Sequence, residues 1–208
     1  YRIVWAWSVS PFLIAGLSFA GMLLIRRAAR RHPIPVLWRD FLTRAGLIAS
    51  GCLAAYALGA NNISVIAAPY LAAAPAVPPA AVWALACLAV CIGCWTADRS
   101  VMRTLASGLF PLSPVEACVA GLTMAATLML FSSTFLRALF VQAFNIYVPI
   151  IPLPSSILIV GATIGIALAK EGYGLNLPAL LKVFASWILI PVTTSLICYA
   201  ILAILAAA

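Results

Sequence analysis

Long apolar runs, separated by short polar or proline-rich segments, divide the chain into about six predicted membrane-spanning helices. The runs cover residues 3–25, 41–74, 80–97, 115–136, 148–169 and 178–205. Each run is close to or above the ~20 residues with which a helix crosses the apolar part of a bilayer. The pattern therefore predicts an all-α fold, that of a polytopic integral membrane protein.

The second run, residues 41–74, is much longer than one span requires and has polar residues near its middle. The sequence there is Gly59-Ala60-Asn61-Asn62-Ile63-Ser64. We predict a broken helix or a re-entrant hairpin at this point. Such a break is tolerated where it packs in protein or lines a watery cavity, and its freed backbone groups can hold an ion. The alternative is that Asn61 and Asn62 only form hydrogen bonds across packed helices.

Composition supports the membrane assignment. Hydrophobic residues make up 66% of the 208 residues and charged residues 8%, against roughly a quarter charged in soluble domains. The acidic residues fall at predicted helix ends or in loops, so we expect no carboxylate to be buried in a span. They are Asp40, Asp98, Glu116 and Glu171.

The basic residues set the predicted orientation. With six crossings, Arg2 and Arg137 lie on one side and the other basic residues on the opposite side, which the positive-inside rule makes cytoplasmic. Both ends of the chain are then external. The net charge of +8 follows mostly from this topology, and we expect contact with membrane lipids and no nucleic acid. The cytoplasmic set is Arg26, Arg27, Arg30, Arg31, Arg39, Arg44, Arg99, Arg103, Lys170 and Lys182.

A weak internal repeat links the first and last runs. Trp7 and Pro11 open the first run with a Trp-x-x-x-Pro pattern, and Trp187 and Pro191 repeat that pattern 180 residues later (187 − 7). We therefore predict that residues 1–25 are the last helix of a preceding repeat, 26–40 a basic cytoplasmic linker and 41–208 a second repeat. Because the chain begins with Tyr1 rather than Met, we expect an amino-terminal half upstream. Secondary transporters are often built from two such halves.

Several motifs resemble the inorganic phosphate transporter family, which includes sulfate permeases. The segment from Gly59 to Ile66 matches the first three positions of the family's Gly-Ala-Asn-Asp-Val-Ala-Asn-Ala. Further similar segments follow in the family's order: Val101-Met102-Arg103-Thr104-Leu105, Leu112-Ser113-Pro114, Pro152 with Val160-Gly161-Ala162-Thr163-Ile164-Gly165, and Ser186-Trp187 with Pro191. The resemblance implies the carboxy-terminal half of an inverted-repeat transporter of phosphate or sulfate, with a possible homodimer.

The chain also departs from the family's motifs. Asn62 stands where the family has Asp, and Gly121 where a Glu is expected. The family's Ala-Asn pair is replaced by Ser64-Val65, and its Ser-Thr-Thr-His by Pro154-Ser155-Ser156-Ile157. A buried sodium ion normally needs a carboxylate, so the resemblance no longer implies sodium coupling through these positions. Coupling to a proton, or to sodium held by the other half, stays open.

The candidate substrate-binding residues offer neutral donors to a tetrahedral anion. They are Asn61, Asn62, Ser64, Ser155 and Ser156. Backbone N–H groups at a helix N-terminus would add to them. The alternative for the two serines is an ordinary helix N-cap.

Other function classes find little support in the sequence. The chain carries no catalytic Ser/His/Asp set, paired carboxylates or phosphate-binding Gly-rich loop, so we expect no enzyme and no cofactor beyond a coupling ion, proton or sodium. Cys87, Cys91 and Cys94 share a helix face, but no His accompanies them, and packing is the better interpretation. We predict cation-coupled secondary transport in a bacterial inner (plasma) membrane. The alternatives are a degenerate, non-transporting subunit with an assembly role and a channel-like facilitator.

Overall fold

The computed structural model describes residues 2–31, 35–73, 76–97, 111–145, 149–171 and 175–207. These residues form helices and no strand, which confirms the all-α prediction. The helices are α1 (Arg2–Arg31), α2 (Val36–Ala73), α3 (Pro79–Thr96), α4 (Pro114–Ser132), α5 (Thr134–Phe144), α6 (Ser155–Ala169) and α7 (Leu177–Ala207). Among them, α1, α2, α3, α4 and α7 are long and apolar enough to cross a membrane.

Two of the predicted spans are interrupted. The run 115–136 divides at Ser133, whose extended backbone ends α4 and whose hydroxyl accepts a hydrogen bond from the Leu136 N–H at the start of α5. The run 148–169 is helical only in α6, because Pro152 and Pro154 favour extended backbone before it. With 15 residues, α6 is about 22 Å long at 1.5 Å per residue, which is short for a span.

The predicted break at Gly59 is wrong, because α2 continues through residues 59–64 as one helix of 38 residues. A glycine inside a helix costs only about 1 kcal/mol relative to alanine. The polar side chains do not require a break either. Asn62 donates to the Leu58 carbonyl at 3.0 Å, and Ser64 donates to the Asn61 carbonyl at 3.3 Å.

The segment predicted as a linker, residues 26–40, is largely helical as well. α1 continues to Arg31 and α2 begins at Val36. The division of the chain into repeats stays a prediction.

Helices α2 and α4 pack side by side and run in the same direction. Gly46 lies against Cys118, Gly121 against Ser50, and Asn61 against Ser132, so the numbering offset stays at 71 or 72 along the contact. The 19 residues of α4 span about 28 Å, close to the apolar thickness of a bilayer. Asn61 therefore lies level with the end of α4, not with its middle.

Helices α1 and α6 form the second parallel pair. Trp7 donates its indole N–H to the Pro152 carbonyl at 3.2 Å, and further along Gly161 faces Pro11 and Gly165 faces Ala15. The two pairs join where α1 crosses α4 in the opposite direction. There the hydroxyls of Ser18 and Thr123 are hydrogen-bonded at 2.8 Å. The core between the pairs is apolar and includes Ile14, Leu128, Phe131, Leu153 and Leu158.

The remaining long helices lie outside this four-helix core. α3 packs on the last part of α2 through Ala67, Val82 and Ala86. The most apolar window of α7 has none of its residues buried.

Candidate substrate site

Asn61 joins three separate segments of the chain. Its side chain is 4% exposed, and both ends of its amide are hydrogen-bonded. Nδ2 donates to the Ser132 hydroxyl at the end of α4 at 2.7 Å, and Oδ1 accepts from the Leu153 backbone N–H at 2.8 Å. Because Leu153 is 1% exposed, this amide satisfies a backbone donor that water does not reach.

The segment that Asn61 holds is the non-helical backbone of residues 149–154, which leads into α6 and is extended at Pro154. Trp7 holds the same segment from the other side through the Pro152 carbonyl. α1 thus binds this segment at Pro152 and α2 binds it at the next residue, Leu153. These two contacts set the position at which α6 begins.

The N-terminus of α6 has no side-chain cap. Pro154 occupies the N-cap position and makes no capping hydrogen bond with its side chain. Ser155, half-buried, and Ser156, exposed, are therefore the first helical residues rather than N-caps. Helix N-termini carry partial positive charge and N–H groups that favour an anion. The hydroxyls of Ser155 and Ser156 belong to the first turn at such a terminus.

The predicted site residues are brought together only in part. Asn61 contacts Leu153, two residues before Ser155. Asn62 is half-buried and Ser64 is exposed, and their hydrogen bonds return to carbonyls of α2 itself. Asn61 forms a hydrogen bond across packed helices to Ser132, and its bond to Leu153 adds a role in positioning α6. That Asn61 lines a substrate site stays a prediction.

A buried ion pair at the opposite end of the core contradicts the expectation that no carboxylate is buried in a span. Glu116, in the first turn of α4, is 3% exposed, and its Oε1 lies 2.8 Å from Lys170 Nζ, just after α6. Its Oε2 accepts from the Ser113 N–H at 2.8 Å. The sequence signal was available, because Ser113-Pro114-Val115-Glu116 has the form of a capping box. Nearby, Arg26 of α1 donates to the Ala169 carbonyl.

Glycines set how closely the helices approach, a role that the sequence motifs did not assign to them. A Cβ on Gly161 would lie 2.6 Å from the Pro11 carbonyl oxygen, and one on Gly165 would overlap the Ala15 backbone. The Gly-x-x-x-Gly spacing is a known signal for close helix packing in membranes. Gly121, where the resemblance suggested a Glu, has only 3.1 Å between an added Cβ and the Ser50 Cβ, so a side chain there would require Ser50 to shift.

No cluster of metal-ligating side chains occurs among the residues that the structure describes. The three cysteines of α3, Cys87, Cys91 and Cys94, are free and exposed on the helix surface. Of the family-like segments, Val101-Met102-Arg103-Thr104-Leu105 lies outside the described residues.

Comparison with known proteins gives one family. Residues 38–138 match the family model described as the phosphate transporter family. The match contains Asn61, Asn62, Ser64, Ser132 and Glu116, and it ends before residues 149–154 and α6. No curated protein and no solved structure matches the chain. This family implies phosphate transport across a membrane. Through residues 38–138, which are 101 of its 208 residues, the chain is similar to the phosphate transporter family.

Proposed function

We propose that this chain is part of a secondary transporter that binds phosphate at the N-terminus of α6, beside Asn61. The observation that carries the proposal is the hydrogen bond from the Leu153 N–H to Asn61 Oδ1. It connects the uncapped start of α6 to the part of α2 that lies within the family match.

The donors at this place suit an anion that must also be released. The N–H groups at the start of α6 and the hydroxyls of Ser155 and Ser156 are neutral, so they stabilise a desolvated phosphate without the tight binding of a fixed guanidinium. Asn61 has both ends of its amide engaged and acts in this proposal as a positioning residue. Asn62 and Ser64 would reach the anion only by giving up their bonds within α2. Sulfate is the competing substrate, since it accepts the same hydrogen bonds.

Coupling to a cation belongs to the same proposal, with a proton favoured over sodium. Two acidic side chains are described within candidate spans, and both are ion-paired: Asp40 with Arg44 at 2.9 Å, and Glu116 with Lys170. Asn62 and Gly121 occupy the places where the family resemblance suggested acids. A sodium ion in this part of the chain would therefore lack an unpaired carboxylate to balance its charge.

The test is uptake of labelled phosphate by cells that lack their own phosphate uptake and express the natural protein. We expect saturable uptake that depends on pH, with sulfate as a competitor. Replacing Ser155 and Ser156 together by Ala should raise the KM for phosphate about tenfold, the effect of ~1.4 kcal/mol and within the range for hydrogen bonds to a charged group. The matched control is Thr96→Ala, because the exposed Thr96 hydroxyl donates to the Ile92 and Gly93 carbonyls of its own helix α3.

Three results would contradict this proposal in different ways. Uptake that is absent although the protein reaches the membrane would support the non-transporting subunit. Phosphate flux that ignores both pH and sodium would support a facilitator. An unchanged KM in the double serine variant would move the anion site away from α6.

A further inference from the structure

The end of α1 carries three arginines that have no partner in the part of the chain that the structure describes. Arg27, Arg30 and Arg31 are exposed, and none of them makes a hydrogen bond or an ion pair with a described residue. Positions three and four apart lie on the same side of a helix, so the three guanidinium groups share one side of α1. Arg26, one residue earlier, is half-buried and donates to the Ala169 carbonyl instead.

The acidic residues at this end of the molecule do not neutralise the three arginines. Asp40 is paired with Arg44 at 2.9 Å, and Glu116 is paired with Lys170 at 2.8 Å. Glu171, just after α6, is exposed and has no ion pair among the described residues. The dipole of α1 favours a cation at this terminus, but it amounts to only about half a negative charge. The end of α1 therefore presents positive charge that the described chain leaves uncompensated.

These arginines lie beyond the apolar part of the core. Gly21 of α1 faces Val119 of α4, and the two helices run in opposite directions, so Arg26 is level with Pro114 at the start of α4. At 1.5 Å per residue, residues 27–31 reach up to about 8 Å past that level. Because α4 is about as long as the apolar layer of a bilayer is thick, this is the depth of the lipid headgroups.

The first turns of α2 reach the same depth. Gly46 faces Cys118 of the parallel helix α4, so residues 36–41 lie up to about 9 Å before the level at which α4 begins. Four residues connect Arg31 to Val36, so these two helix ends are at most about 18 Å apart. The start of α2 and the arginines of α1 are thus neighbours at the headgroup level.

An apolar groove lies on this part of α2. Leu37, Trp38 and Phe41 line an open groove of about 240 Å³, and their side chains are 86%, 61% and 62% exposed. The two rings meet edge to face, with centroids 6.1 Å apart, and tryptophan is enriched at the boundary between membrane and water. The groove is smaller than the roughly 300–1,000 Å³ pockets that hold drug-sized ligands. It suits the first methylene groups of an acyl chain.

We propose that the arginine side of α1 and the groove of α2 together bind one anionic phospholipid of the surrounding bilayer. Guanidinium groups of Arg27, Arg30 and Arg31 donate to its phosphodiester oxygens, an arrangement that suits the geometry of phosphate. The beginning of one acyl chain lies in the groove beside Trp38. Positive charge selects an anionic over a zwitterionic lipid, and the groove selects a lipid over a free phosphate ion.

The positive-inside rule alone does not account for this site. It calls for basic residues on the predicted cytoplasmic side, but it requires neither their alignment on one side of α1 nor an apolar groove at the same depth. The site also lies at the opposite end of the core from Asn61, so it is independent of the proposed function.

Native mass spectrometry of the delipidated natural protein in a neutral detergent tests this proposal. The probes are dioctanoyl phosphatidylglycerol, phosphatidylcholine with the same chains, and inorganic phosphate as a competitor at constant ionic strength. Arg30→Gln removes one charge from the site, and its matched control is Lys182→Gln, an exposed cation of α7. Phe41→Ala removes one wall of the groove, and its control is Phe135→Ala, a similarly exposed ring of α5. An unchanged Tm in all four variants establishes that the fold is intact.

We expect phosphatidylglycerol to bind about tenfold more tightly than phosphatidylcholine, and Arg30→Gln to weaken phosphatidylglycerol binding about fivefold, the effect of one basic residue near anionic lipid. Phe41→Ala should weaken binding of both lipids, because they share the same acyl chains. Both controls should bind as the natural protein does. Equal affinity for the two lipids, an equal loss in Lys182→Gln, no loss in Phe41→Ala, or displacement of phosphatidylglycerol by inorganic phosphate would each overturn the proposal.

Discussion

At the scale of single residues, Asn61 shows how one amide can hold a segment that is distant in the sequence. The sequence drew attention to it as a polar residue inside an apolar run, and that emphasis was justified. Its partners could not be foreseen, because Ser132 and Leu153 are 71 and 92 residues away in the chain. The parallel packing of α2 on α4 brings Ser132 to Asn61, and the position of the segment before α6 brings Leu153 to it.

Asn61→Ala should destabilise the protein far more than Asn62→Ala does. The first change leaves the buried Leu153 N–H without an acceptor, which costs about 1–3 kcal/mol. The second removes a bond to a carbonyl that its own helix already satisfies. Thermal unfolding of the purified variants in detergent measures the difference. Equal shifts in Tm would mean that the Leu153 contact contributes nothing to stability.

Glu116→Gln should weaken the end of the core at which α4 meets α6. The change leaves the Lys170 ammonium, 32% exposed, facing a neutral amide. Because water still reaches this ammonium, we expect a loss below the roughly 3–5 kcal/mol that is typical of a fully buried pair. Asp40→Asn is the matched control, because that ion pair with Arg44 is largely exposed and such pairs contribute little. Tm measured at low and high salt compares the two. A larger loss in Asp40→Asn would contradict this assignment.

At the scale of helices, the apolar pattern predicted the existence of most elements but not where they are interrupted. The ends at Ser133 and Pro154 depend on local capping and proline chemistry inside apolar runs, which a count of hydrophobic residues passes over. The predicted break at Gly59 fails for the opposite reason. Side chains of Asn62 and Ser64 bond to carbonyls of α2 itself, so polarity alone did not signal a break.

The variant Gly59→Ala tests whether α2 is continuous or broken at residue 59. An added Cβ at Gly59 meets nothing within 4 Å, and alanine favours a helix over glycine by about 1 kcal/mol. We therefore expect a small rise in Tm and unchanged phosphate uptake. A marked fall in either quantity would indicate that Gly59 is needed for a conformation that is not helical.

Gly165→Ala should separate α1 from α6. The new methyl group would occupy the space of the Ala15 backbone, and backbone cannot move aside as a flexible side chain can. Gly16→Ala is the matched control in the same region, since nothing lies within 4 Å of its added Cβ. We expect a loss of about 2–12 °C in Tm for Gly165→Ala only, which corresponds to overpacking costs of about 1–3 kcal/mol.

At the scale of the whole molecule, three helix ends that the sequence assigned to the cytoplasmic side do lie together. Arg26 at the end of α1, Glu116 at the start of α4 and Lys170 after α6 form one cluster. These contacts agree with the predicted alternation of loops between the two sides of the membrane. That prediction used only the apolar runs and the basic residues, so the contacts are independent of it. Which side of the membrane this cluster faces stays a prediction, because it rests on the distribution of basic residues alone.

Cysteine labelling decides the orientation. In a variant free of the natural cysteines, Arg30→Cys places a thiol on the exposed end of α1 beside the basic cluster, and Gln142→Cys places one on the exposed side of α5. The positive-inside rule puts the first thiol in the cytoplasm, and the direction of α4 puts the second at the opposite end. An impermeant maleimide should therefore label Gln142→Cys in intact cells and Arg30→Cys only in inside-out vesicles. The reverse labelling pattern would mean that the molecule has the opposite orientation in the membrane. Labelling of both thiols from one side would contradict the crossing of α4 through the membrane.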